Sequence, residues 1–345
     1  MSGDAVQTKY GLIRDILERS DLGAIVLGRF ANFAWYTGGA DNRVDHASPF
    51  GVAQVVITRD RAHVLTNSIE AERLKAEQTP KLDIVSYPWY EDPTPTLREL
   101  SAGGPIGSDG AVPDSSDVST EVAMLRRVLD ADAMVQYREV GQLTVAAVDE
   151  AAGELTPGMN ELEAAARLEA ACLRRGLYSP VVMAAGDNRI TQYRHPVVHD
   201  SVFHRRVMLV VCGERYGLYA CLTRFVHFEE PDAELQRRFA ACETILHRMR
   251  EEATRPGTTL ADAFEACRRF YADAGFPDEW MLHHQGGMTG YATREVIATP
   301  LTHDPIEIGQ AFAWNPSVTG AKAEETFVLT DAGPEILTNR ADRTV

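Results

Sequence analysis

Four short stretches hold the side chains able to move protons or fix charge. They are Tyr193-Arg194-His195-Pro196, Cys221-Leu222-Thr223-Arg224, the run from His283-His284-Gln285-Gly286-Gly287 to Arg294-Glu295, and Asn315-Pro316 followed by Glu324. An imidazole with a pKa near ~6.5 relays protons at neutral pH, so His195 and His283 are acid/base candidates. A guanidinium fork holds a carboxylate through two parallel hydrogen bonds, which suits Arg294, with Glu295 beside it. Cys221, three residues before Arg224, is a nucleophile if an imidazolium or Arg224 stabilises its thiolate, and otherwise an inert buried thiol. Glu324 could orient water, hold a cation or pair with Arg224. His199, His204 and His284 are taken as structural.

The elements that must position these residues alternate between helix and strand. Tyr10 to Ser20 has helical apolar spacing, Ala24-Ile25-Val26-Leu27 reads as a buried strand, and Val52 to Thr58 with Ala62 to Thr66 reads as a hairpin. The Gly/Pro/Ser/Asp-rich passage Ser101 to Ser119 reads as a linker. Ala131 to Glu154 predicts a long amphipathic helix, and Asn160 an N-cap for a helix over Glu161 to Arg175. Asp232 to Thr254 and Thr259 to Ala274 predict two more helices around Pro256-Gly257. The expected division is an α/β domain over 1–128 and an α+β domain over 129–345.

A net charge of −16 argues against nucleic acid or an anionic membrane surface as partner. No run approaches the ~20 apolar residues of a membrane span. The five cysteines lack CxxC spacing and fit free thiols in a reducing cytoplasm.

In order, these motifs resemble the creatinase/aminopeptidase P/methionine aminopeptidase family, whose catalytic domain has the pita-bread fold. Asn32-Phe33-Ala34-Trp35-Tyr36-Thr37-Gly38 is similar to a segment of that family's creatinase-type N-terminal domain. Metal-dependent members supply two Asp, one His and two Glu to a pair of divalent ions. Here the resemblance aligns Val211, or its neighbour after a one-residue slip, with the first Asp and Cys221 with the second. It aligns Gly287 with the His, Asn315 with the first Glu and Glu324 with the last. Bridging carboxylates are needed to offset repulsion between two hard cations ~3.5–4 Å apart, so the resemblance implies no metal and no cofactor.

His195, His283 and Arg294-Glu295 match substrate-side positions, and Arg-Glu is also found in metal-free creatinase. The implied activity is a metal-independent, creatinase-like hydrolysis of a C–N bond in a small carboxylate-bearing, amino-acid-like compound. His195, His283, Glu324 and Cys221 would be catalytic; Arg294, Glu295, Arg43, Arg224, Tyr193 and Asn315 would bind substrate. Arg43 would come from the partner of a homodimer. The alternatives are a lyase, cyclase or isomerase on the same site, a non-catalytic binding or scaffold protein, and a metal-dependent Xaa-Pro peptidase.

Overall fold

The apolar run Ala24–Arg29 (β1) is buried along nearly its whole length, as a central strand requires. In the computed structural model, which describes residues 3–339, it pairs antiparallel with Phe50–Thr58 (β2). The hairpin closes with Ala62–Asn67 (β3), Ala53 facing Thr66. Asp83–Tyr87 (β4), Ile106–Ser108 (β5) and Ser116–Asp117 (β6) complete a mixed six-stranded sheet in the order β4-β3-β2-β1-β5-β6. The first helix spans Gly3–Arg19. Phe30–Thr37 forms a helix ended by Gly38 at φ 74°, a left-handed turn that glycine adopts without a Cβ penalty.

The expected linker is instead part of this sheet. Its backbone is paired: β5 runs parallel to β1, and β6 parallel to β5. Between them, buried Asp109 accepts hydrogen bonds from Gly28 N (3.0 Å), Arg29 N (2.9 Å) and Asn32 Nδ2 (2.8 Å). Turn-forming residues here build tight connections inside a domain. The chain divides into two units after Ala133.

The helix Ala131–Gly153 begins just before this division and continues through the second unit, where Glu161–Arg174 is also a helix, capped by Asn160 accepting from Glu163 N. Tyr178–Gly186 (β7), Arg206–Arg215 (β8) and Leu218–His227 (β9) form one antiparallel sheet. Gly286–Thr289 (β10), Val296–Ile297 (β11), Ala311–Trp314 (β12), Ser317–Val318 (β13), Ala321–Lys322 (β14), Glu325–Thr330 (β15) and Gly333–Ile336 (β16) follow. Five of them form a second sheet in the order β11-β10-β12-β15-β16, and β13 pairs with β14.

The helices Ala233–Arg248 and Leu260–Asp273 start at caps from Asp232 and from a Thr259/Asp262 box, each satisfying helix N–H groups that would otherwise lack partners. They pack with Trp314, Phe312 and Phe327 of the second sheet in one apolar cluster. Thr326 Oγ1 joins the two sheets, accepting from Cys221 N (2.8 Å) and donating to Cys221 O (3.0 Å). Two antiparallel sheets packed with helices are the arrangement expected of the pita-bread fold.

Candidate active site

Three histidines converge where a loop and a strand entrance meet. His195 lies on the loop after the short helix Asp187–Gln192; His283 and His284 lie between the turn Glu279–Leu282 and β10. His283 Nε2 is 2.8 Å from His195 Nε2, and the His283 and His284 rings stack at 4.5 Å. Gln285 anchors the pair by donating to Trp280 O (3.0 Å) and accepting from Tyr271 OH (2.7 Å). Burial, then Lys322 and the other two imidazoles, bring the His283 pKa down to about 2. Burial and Arg294 bring His284 to about 4, and burial with Lys322 lowers His195. All three rings are therefore neutral at pH 7, with a lone pair each.

Facing them is a charged cluster built on Glu324. Its carboxylate accepts from Thr223 Oγ1 (2.6 Å), Lys322 Nζ (2.8 Å) and Arg294 Nη2 (3.1 Å). Burial alone would raise the Glu324 pKa, but Lys322 and Arg294 hold it at about 2. Arg294 Nη1 also donates to Cys221 Sγ (3.2 Å), and the Cys221 and Cys212 sulfurs are 3.2 Å apart. Between histidines and charges lies a cleft of about 260 Å³, whose walls include Cys212, Asn315 and Met183.

Several expected site residues lie elsewhere. Arg224 pairs with Asp149 at 3.6 Å and not with Glu324, because Thr223 takes the face toward Glu324 and strand neighbours alternate. Tyr193 is half exposed under Arg189. Glu295 N donates to Met288 O (2.8 Å). Within the first unit, the Arg43 side chain, expected to act from a partner subunit, donates two bonds to Asp41 and covers the Phe30 ring. Cys221 is fully buried; the thiol on the cleft wall is Cys212. Lys322, His284 and Cys212 were missed. Lys322 had one signal, its position two residues before Glu324.

The family model described as metallopeptidase family M24 matches residues 135–331, and the creatinase/prolidase N-terminal domain matches residues 11–143. The chain belongs to metallopeptidase family M24. It is 21% identical over 344 residues to an Xaa-Pro dipeptidase of Pyrococcus furiosus, covering 93% of this chain and 95% of that protein. It is 24% identical over 311 residues to a probable dipeptidase PepE of Mycobacterium bovis, covering 80% of each. The prolidase of Pyrococcus horikoshii OT3 superposes with a TM-score of 0.82 at 16% identity, over 98% of this chain and 100% of that one.

These matches overturn the expectation of a metal-independent, creatinase-like hydrolase, and with it the lyase reading. The relatives over nearly the whole chain are named dipeptidases and prolidases, in a metallopeptidase family. Arg294, expected to hold a substrate carboxylate, donates here to Cys221 Sγ and to Glu324.

The M24 ion pair itself does not fit these residues. Cys212 faces Cys221 across β8 and β9, so with the one-residue slip the resemblance puts thiols where the family has its two Asp ligands. At Gly287, φ is 151° and a Cβ would lie 2.2 Å from Val296 O, so no ligand side chain fits there. Glu324 is already bonded to two side-chain cations. Among the described residues, the metal-capable cluster is His195, His283 and His284, whose ligand atoms lie within 4.8 Å of one another.

Proposed function

We propose that this M24 chain is a small-peptide hydrolase of the dipeptidase class, Xaa-Pro dipeptides being the first substrates to test, and that it uses one divalent ion held by His195, His283 and His284. The observation that carries the reading is three neutral imidazoles gathered on one side of a small cleft with a charged cluster on the other. An ion there would polarise the scissile carbonyl and acidify a bound water. Ligation exchanges two present contacts, His283 with His195 and Gly286 N with His284 Nδ1 (3.2 Å).

The other wall sets the substrate's orientation. Lys322 and Arg294 against Glu324 leave one net positive charge, which attracts a terminal carboxylate. Lys322 has donors for it, since an ammonium has three and Glu324 takes one. A cleft of about 260 Å³ is below the roughly 300–1,000 Å³ of most ligand pockets and suits a dipeptide over a longer chain. We assign the protein to a reducing compartment and to a homodimer on the same basis as its five free cysteines and its family kinship.

The test is a panel of Xaa-Pro and other dipeptides assayed with manganese, cobalt or zinc, and again after chelation. Ion-dependent hydrolysis is expected. Absence of turnover on every dipeptide under all ions would refute the reading.

A further inference from the structure

We infer that Cys212 and Cys221 form a reversible disulfide when a hydroperoxide enters the cleft, making this thiol pair an oxidative modification site. The residues are directly opposed on the antiparallel strands β8 and β9. The N–H and C=O of Cys221 are both bonded to Thr326 Oγ1, so the pair with Cys212 is of the non-hydrogen-bonded kind. Such pairs have Cα atoms roughly 4.5 Å apart, inside the roughly 4.4–6.8 Å range of disulfides. The sulfurs, now 3.2 Å apart, need to close by only about 1.2 Å to reach bonding distance.

Three features separate this pair from ordinary buried thiols. Arg294 Nη1 sits 3.2 Å from Cys221 Sγ and stabilises a thiolate there. The contact with Cys212, then Arg294, draws the Cys221 pKa down while Cys212 is pushed up. Cys212 also lines the cleft, giving a water-sized oxidant a route to the pair. Cys172, Cys242 and Cys267 are buried too, but burial raises their pKa values to about 11, 12 and 12. They serve as controls within the molecule.

The chemistry balances with one hydroperoxide. The Cys221 thiolate attacks a peroxide oxygen, the O–O bond breaks, and the departing hydroxide takes up the former thiol proton as water when hydrogen peroxide is the oxidant. Cys221 is then a sulfenic acid. The Cys212 sulfur attacks the Cys221 sulfur, the S–S bond forms, and the second oxygen leaves as water with the Cys212 proton. Two thiols lose two hydrogens and the peroxide is reduced to two waters. The new bond takes the thiolate away from Arg294, the residue that also holds Glu324. A fall in turnover on oxidation therefore rests on the proposed function, whereas the cross-link does not.

The full-length protein is treated with hydrogen peroxide, alkylated under denaturing conditions and mapped by peptide mass spectrometry. The expected result is a Cys212–Cys221 linked peptide that dithiothreitol removes, with Cys172, Cys242 and Cys267 alkylated throughout. The variant Cys212→Ser should give a Cys221 sulfenic acid trapped by dimedone and no cross-link. If that variant does not fold, the wild-type map decides alone. Both thiols remaining alkylatable, or oxidation to sulfinic acid without a cross-link, would overturn the inference.

Discussion

Lys322 Nζ lies 2.8 Å from Glu324 Oε2, and both residues are nearly buried, at 7% and 6% exposure. The acid that the resemblance aligns with the last M24 ligand is thus paired with an ammonium and, through its other oxygen, with Arg294. Removing either partner of a buried pair leaves an uncompensated charge, at a cost of about 3–5 kcal/mol. A Glu324→Gln variant is therefore expected to lose stability on that scale by urea unfolding, and an unchanged midpoint would show that the cluster is not held by this carboxylate.

Lys322 should reveal itself in substrate recognition. A charge-assisted hydrogen bond is worth about 1.5–3 kcal/mol, or roughly 10–100-fold in affinity. With Lys322→Met, KM for dipeptides with a free carboxylate should rise by about that factor, while C-terminally amidated analogues change little. Equal effects on both would remove Lys322 from carboxylate binding.

Acid should weaken the fold in a window set by the histidines. The folded pKa values of His284, about 4, and His283, about 2, are depressed below the usual 6.5. Their contribution is complete above pH 6.5. It is lost as pH falls, because the unfolded chain takes up protons first; the loss is complete for His284 near pH 4 and for His283 near pH 2. Glu324 adds a loss between its usual 4.5 and about 2. Urea midpoints measured from pH 8 to 4 should decline from about pH 6.5 down, and His284→Asn should flatten the upper part of that slope.

Restoring a family ligand at Gly287 should fail. With φ at 151° and Val296 O 2.2 Å from the Cβ position, Gly287→His must move β10 away from β11. We expect a loss of more than about 2 kcal/mol by thermal unfolding and no added ion per chain. A stable variant with an extra ion would show that the strand can adapt.

The sequence was most legible where order and spacing carry the fold. His195 and His283 are 88 positions apart yet touch, because motif order already specified which loop meets which strand. The cap at Asn160 was likewise readable from residue type and the helix that follows. Lys322 was not, because lysine is usually solvated and only tertiary burial beside Glu324 gives it a role. His284 was set aside as background, yet its ring stacks on that of His283. The 101–119 passage misled for a similar reason: Asp109 satisfies a strand end from a segment whose composition reads as loop.

The most direct test of a one-ion peptidase site is dipeptide hydrolysis titrated with manganese, cobalt or zinc from the metal-free protein. The account predicts a rate that saturates at one ion per chain and is lost in His195→Ala and His284→Ala. Saturation at two ions, or full activity in both variants, would contradict it.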